Sequence, residues 1–293
     1  AAVWAARIAA KLASRCRVRD ELFGGAGGIC VVHGDTPTTA LATLMAARAG
    51  LRVAHLEAGL RSHHLLHPFP EELIRLAVMR RADLLFAPDD RAVANLAAMG
   101  VRGRVVAVGA NTSVDAVRSV PGGVSPGDGG GPAPAIVTMH RVENLYQRAI
   151  VQRLVDAAAG LAARRPVRFV VHGPTWEALR RGGHDDRLRR AGVELSPLVA
   201  HRDFVAMLRA APFVVTDGGS IQEECALLGV PTLVWRRRTE RADGVGANVV
   251  VSGHDPAVER AFLADPERYR RPPALPDGSP SARILDVLVA ELG

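Results

Sequence analysis

Lysine is almost missing from this chain. Lys11 is its single lysine, and the other strongly basic residues are all arginines. This excludes the phosphate-binding lysine of a P-loop and leaves little room for Schiff-base chemistry on lysine. Cysteine is scarce too. Cys16, Cys30 and Cys225 stand far apart with no C-x-x-C pair, which argues against a disulfide frame or a structural zinc and fits a reducing compartment. Aromatic residues make up only 4% of the chain, so the net charge of +7 lacks the stacking residues and motifs of nucleic-acid recognition. Nucleic acid is therefore not an expected partner, whereas a phosphorylated small molecule needs only a few arginines. No apolar run is long enough to cross a membrane. No charged-then-apolar leader pattern opens the residues given, so a cytoplasmic location is the expectation. A serine-hydrolase elbow of the G-x-S-x-G type is missing. His63, His64 and His67 lack an H-E-x-x-H context or a cysteine partner, so no metal is expected.

What is present fills two domains. The chain has 293 residues, 48% of them hydrophobic, enough for full-sized cores. Strands are expected at 29–33, 51–56, 83–87 and 104–108, alternating with helices at 40–49, 89–99 and from 111. An amphipathic helical run over 2–15 precedes them, and the Gly24–Gly28 run reads as a linker turn. Residues 120–134 are glycine, proline and serine, which cannot pack a core and read as a linker. Strand 135–139, helix 148–164 and strand 167–171 then repeat the alternation, followed by a helical region to 190, strand 193–195 and helix 204–210. A terminal helix is expected over 281–292. The expected domains are thus 1–119 and 135–293, with the last helix a candidate to pack back on the first domain. The alternation predicts an α/β protein with two doubly wound, Rossmann-like parallel sheets.

One stretch organises the rest. Thr216-Asp217-Gly218-Gly219-Ser220-Ile221-Gln222-Glu223-Glu224 follows the apolar run 213–215 and opens onto Cys225-Ala226-Leu227-Leu228. It reads as strand, glycine turn and helix. Two glycines let a backbone approach a ligand closely, and the Gly219 and Ser220 amides would face an anion from a helix N-terminus. Gln222, Glu223 and Glu224 are placed in the first turn, where the glutamates could serve only the helix dipole or could meet a phosphate-and-sugar ligand.

Other candidates fall at strand ends, the ligand edge of open α/β sheets. Asp35 follows strand 29–33 and could cap the Pro37 helix or do chemistry. Glu57 stands between a strand and a glycine turn. Glu71 and Glu72 open a helix that carries Arg75, and one of them could be only a dipole partner. Several acidic positions on one edge suggest proton transfer. Carboxylates facing one another would repel, so at least one should have a raised pKa. His140, Arg141 and Glu143 end strand 135–139, with His140 favoured as a phosphate contact.

These motifs together resemble the non-hydrolysing UDP-N-acetylglucosamine 2-epimerases. The matching segments are His33-Gly34-Asp35-Thr36, His55-Leu56-Glu57-Ala58-Gly59-Leu60-Arg61, Pro70-Glu71-Glu72, Asn111-Thr112, His140-Arg141-Val142-Glu143-Asn144, Gln222-Glu223-Glu224 and Thr239-Glu240-Arg241. They follow the family's order over almost the whole chain. The resemblance implies a GT-B-like pair of domains with the site between them, and inversion at C2 of UDP-GlcNAc to UDP-ManNAc. It implies elimination of UDP to an enzyme-bound 2-acetamidoglucal and re-addition, with no cofactor. Asp35, Glu57 and Glu71 match the family's acid/base carboxylates, and His140 its UDP-contacting, catalytic histidine. Gly218, Gly219 and Ser220 match the diphosphate turn, and Glu224 the ribose partner. Arg61, Arg75, Arg141, Glu143, Gln222, Glu240 and Arg241 complete the expected UDP-sugar contacts. A homodimer is implied by the family alone.

Three departures stand out. The family's opening strand and Gly-Thr-Arg-Pro turn have no match here, so the first domain is expected to be incomplete at its N-terminus, by at least ~30 residues, the size of one βαβ unit. The turn reads Asp-Gly-Gly-Ser where better-known members have Asp-Ser-Gly-Gly. Ala110 replaces a glycine before Asn-Thr. The alternatives are a GT-B glycosyltransferase, a hydrolysing relative, and an inactive UDP-sugar-binding relative.

Overall fold

The computed structural model describes residues 14–65, 69–121 and 131–293. Most of the expected helical run over 2–15, His67 and most of the expected linker lie outside the described residues. The chain divides into two compact units: Ser113–Asp277 forms one, and the residues up to Thr112 together with Gly278–Gly293 form the other.

The first unit carries a four-stranded parallel sheet in the order β1-β2-β3-β4, formed by β1 (Ile29–His33), β2 (Arg52–Leu56), β3 (Leu84–Ala87) and β4 (Arg104–Ala107). Its helices are α1 (Arg15–Phe23), α2 (Pro37–Ala49), α3 (Glu71–Arg81) and α4 (Asp90–Met99). Side chains alternate across a strand. Val53, Leu85 and Ala87 accordingly pack on one face, with Val78 and Met79 of α3 and Leu96 of α4. Ala54, Leu84 and Phe86 pack on the other, with Ile284 of the terminal helix. Both faces are covered, which is why β3 reads as an unbroken apolar run.

The second unit begins with α5 (Ser113–Arg118) and carries a six-stranded parallel sheet in the order β10-β9-β8-β5-β6-β7. The strands are β5 (Ala135–Met139), β6 (Val167–Val171), β7 (Glu194–Ser196), β8 (Val214–Thr216), β9 (Thr232–Val234) and β10 (Val249–Val251). Around them lie α6 (Val142–Leu145), α7 (Arg148–Ala162), α8 (Gly173–Arg181), α9 (His184–Arg190), α10 (His201–Ala210), α11 (Gly219–Leu228) and α12 (Pro256–Ala264), then a 3-10 turn (Pro266–Tyr269). Val137, Met139, Phe169 and Val215 face Leu154 and Val155 of α7. Ile136, Val170 and Val214 face Leu208 of α10 and Cys225 of α11.

Two helices lie at the boundaries of the division. Helix α5 groups with the second unit because Val117 joins the Ile136 core and Ser113 donates to Glu223. The terminal helix α13 (Pro280–Leu292) groups with the first, where Glu291 accepts from Arg52 and Arg104 at 2.5 Å. Among the described residues no helix is long and apolar enough to cross a membrane.

Candidate functional site

In the first unit Asp35 and Glu57 follow the C-terminal ends of β1 and β2, and Glu71, Glu72 and Arg75 belong to α3. Asp35 is not the cap of α2. Thr36 is, its side chain accepting from the Thr39 amide at 3.2 Å. Asp35 instead pairs with the buried guanidinium of Arg75. Arg75 also reaches Glu72 at 3.5 Å, so a positive charge stands between two carboxylates that would otherwise repel. Glu72 is fully buried and accepts from Arg61 and from the Ser62 amide at 3.0 Å. Burial alone pushes its carboxyl up, but the hydrogen bonds from Arg61 and Ser62 outweigh it and hold the group below its usual range. Its neighbour Glu71 is half-buried, and its Oε2 is shielded without a partner among the described residues.

Glu57 sits at φ 59°, a left-handed conformation that costs about 1–3 kcal/mol for a residue with a Cβ. The turn it begins is held by a close approach. A Cβ on Gly59 would lie 2.3 Å from the Ala92 carbonyl oxygen, and the Gly59 carbonyl accepts from Asn95 at 2.8 Å. Glu57 thereby comes within 3.6 Å of His33 and lines a small cleft with Val108, Ala110, Asn111 and Thr112. Beneath this loop, buried His55 donates from Nε2 to the Gly34 carbonyl at 2.8 Å. Burial lowers its pKa to about 4, so the ring is neutral at physiological pH.

In the second unit, α11 begins at Gly219, with Gly218 as N-cap and no side-chain hydrogen bond at that cap. The first amides of the helix therefore have no capping side chain as partner. Space for a Cβ is tight at both glycines. A Cβ on Gly218 would lie 2.8 Å from His140 Cε1, and one on Gly219 would lie 3.1 Å from Arg241 Nε. Because the helix starts at Gly219, Glu223 and Glu224 fall in its second turn, not the first as expected. They are buried, so dipole stabilisation of exposed carboxylates does not account for them. Ser220, the next residue, is exposed.

Asp217 organises this edge. Fully buried, it accepts from the His140 amide, the Arg141 amide and Asn144 Nδ2, each at 3.0 Å. Asn144 also donates to the Trp235 carbonyl at 3.0 Å. The loop bearing His140 and Arg141 is thus fastened next to the Gly218 turn. The His140 ring stacks on His172 with centroids 4.7 Å apart, and its Nδ1 lies 3.4 Å from Asp217. Burial lowers the pKa of His140. Sequence reasoning gave Asp217 no role, although it lies inside the focal stretch, because its partners are more than seventy residues away.

The remaining expected contacts differ in exposure. Arg241 pairs with Glu223, which also accepts from Ser113. Glu240 is buried between Arg236 at 2.9 Å and Arg141 at 3.4 Å. Glu143 is exposed, 3.6 Å from Arg141. Gln222 is fully buried; its amide donates to the Arg241 and Asp243 carbonyls at 3.2 and 3.1 Å and accepts from Thr239 at 2.7 Å. Its side chain therefore shapes the Arg241 segment. Glu224 accepts from His201 at 2.7 Å, and burial raises its pKa. Among the described residues no group of three or more His, Cys, Asp or Glu could hold a metal ion.

The UDP-N-acetylglucosamine 2-epimerase of Bacillus subtilis is 33% identical over 306 residues, covering 97% of this chain and 78% of that relative. The crystal structure of Methanocaldococcus jannaschii UDP-GlcNAc 2-epimerase in complex with UDP-GlcNAc and UDP superposes with a TM-score of 0.80 at 25% identity, covering 94% of this chain and 79% of the other. The S. aureus MnaA–UDP co-structure gives 0.82 at 27% identity, covering 98% and 81%. The fold class is α/β with two Rossmann-like units, the GT-B-like class of these neighbours. The profile of the UDP-N-acetylglucosamine 2-epimerases matches residues 26–289, and the chain belongs to that family.

Proposed function

We propose that this protein interconverts UDP-GlcNAc and UDP-ManNAc by eliminating and re-adding UDP. The observation that carries the reading is the uncapped start of α11 at Gly219, with His140 and Arg141 fastened beside it by Asp217. That arrangement suits a diphosphate, which the helix amides and a guanidinium can neutralise. Relatives crystallised with UDP or UDP-GlcNAc support a UDP-sugar as the ligand.

The hexose C2–H is a weak acid, so its removal needs a positioned base and a stabilised leaving group. In the forward direction a carboxylate takes the C2 proton, the C–H electrons form the C1=C2 bond, and the C1–O bond to UDP breaks. The product is 2-acetamidoglucal and UDP. In the return step a UDP oxygen bonds to C1 and a proton is delivered to the opposite face of C2. Asp35, Glu57 and Glu71 are the proposed acid/base groups. Arg75 fixes the Asp35 carboxylate in place, and Arg61 is fixed by Glu72. Gly218, Gly219, Ser220, His140, Arg141 and Arg241 are the proposed diphosphate cradle, with Glu224 on the ribose. Retention of UDP and the glucal together makes re-addition effectively unimolecular.

A homodimer in the cytoplasm is the proposed working state, which light scattering on the purified chain tests. The activity is tested by proton NMR of UDP-GlcNAc incubated with the protein. Conversion to a mixture with UDP-ManNAc is expected. Unchanged UDP-GlcNAc, or release of free sugar with UDP, contradicts the proposal.

A further inference from the structure

Glu224 is 5% exposed, and its Oε2 is shielded without a partner among the described residues. Its Oε1 accepts from His201 Nε2 at 2.7 Å. His201 is the first residue of α10, and its side chain is 53% exposed. The helix gives no local reason for a histidine there. Ala200 is the N-cap with no side-chain hydrogen bond, and a helix N-terminus is the wrong end for an imidazolium. The contact that His201 does make is with the glutamate.

We propose that His201 is a positioning residue for nucleotide binding, holding the Glu224 carboxylate through this contact so that it can accept a nucleoside hydroxyl. The inference rests on the reading that the second unit binds UDP. A hydroxyl donates best to an ionised carboxylate, and burial opposes ionisation of Glu224. Two neighbours act against burial: His201 from α10, through its hydrogen bond, and the Arg241 guanidinium from the segment after β9. The other charges on neighbouring elements are engaged or turned outward. Glu223 is held by Arg241 and Ser113. Glu240 is held by Arg236 and Arg141, and Asp217 by the His140 loop. Asp115 and Arg118 of α5 pair at 3.2 Å, Arg209 of α10 donates to backbone carbonyls, and Arg202, Asp203 and Asp243 are exposed. His201 is therefore the neighbour whose removal leaves Glu224 most exposed to the cost of burial.

The test is titration calorimetry with UDP on the full chain from mildly acidic to mildly alkaline pH, alongside steady-state kinetics with UDP-GlcNAc. His201→Phe is expected to weaken UDP binding roughly tenfold at neutral pH, the size of one lost hydrogen bond to a charged group. The acid limb of the binding profile moves to higher pH, and the kinetic loss falls on KM more than on kcat. His201→Gln, which can still donate to Glu224, recovers most of the affinity. Glu224→Gln serves as the reference. If Glu224→Gln weakens UDP binding while His201→Phe binds with the unmodified profile, the positioning role is overturned and the UDP-site reading stands. A uniform loss in His201→Phe with no movement of the acid limb and no recovery in His201→Gln also overturns it. If the unmodified chain does not bind UDP, both fall together.

Discussion

Replacing Asp217 by asparagine isolates the claim that one buried carboxylate builds the diphosphate edge. The two carboxylate oxygens receive three N–H donors: the His140 amide on Oδ1, and the Arg141 amide and Asn144 Nδ2 on Oδ2, all at 3.0 Å. An asparagine has one acceptor oxygen, so one side must present an NH2 group to an N–H donor. The less costly flip keeps the two bonds on Oδ2 and turns the NH2 toward the His140 amide. One hydrogen bond to a charged acceptor is then lost in a fully buried site, about 1.5–3 kcal/mol. At about 2–4 °C per kcal/mol for a unit of this size, the melting temperature should fall by about 3–12 °C. The His140 end of the loop loses its bond to Asp217 while Arg141 and Asn144 keep theirs, so UDP affinity should fall as well. Thermal melting by circular dichroism and calorimetry with UDP measure the two effects. A variant that melts within 1 °C of the parent and binds UDP equally well would refute the role given to Asp217.

Other substitutions and conditions probe the remaining parts. Gly219→Val places a branched side chain where even a Cβ lies 3.1 Å from Arg241 Nε and 3.3 Å from Glu240 Oε1; UDP binding by calorimetry should drop by more than about a hundredfold, as for loss of a helix-amide cradle worth roughly 3 kcal/mol. Asp35→Asn and Glu57→Gln should abolish formation of UDP-ManNAc while leaving UDP affinity intact, measured by NMR and calorimetry on the same preparation. His55 links stability to pH. Its pKa drops from 6.5 to about 4 on folding because the ring is buried, so the unfolded chain binds the extra proton between those values. Its contribution is complete above pH 6.5 and is lost as pH falls toward 4, amounting to about 3 kcal/mol. His55→Gln, which can still donate to Gly34, should flatten the fall in melting temperature over that window.

Several elements were legible because residue pattern and burial agree. The runs at 29–33, 135–139 and 167–171 are continuous and β-branched, and the strands fall on those residues. Helix starts were harder to read. Helix α10 begins at His201 and not at Phe204, because its first turn is polar and its apolar face enters only afterwards. Helix α11 begins on the glycines that read as a turn. Strand β10 and helix α12 went unread: three valines after a glycine-rich loop resemble any short apolar run until β9 pairs with them. Candidate residues were found where motifs are local, as at Asp35, Glu57 and His140. Their partnerships were not, because Arg75 reaches Asp35 from another helix and Asp217 binds a loop distant in sequence. Composition marked a linker at 120–134, but α5 before it already packs on the second unit's core through Val117.

The central claim is proton transfer at C2 coupled to departure of UDP. Incubation with UDP-GlcNAc in heavy water, followed by mass spectrometry of both nucleotide sugars, tests it most directly. One deuterium at C2 in UDP-ManNAc and in recovered UDP-GlcNAc is the expected result. UDP-ManNAc formed without solvent deuterium at C2, or bound UDP-GlcNAc that never exchanges, contradicts it.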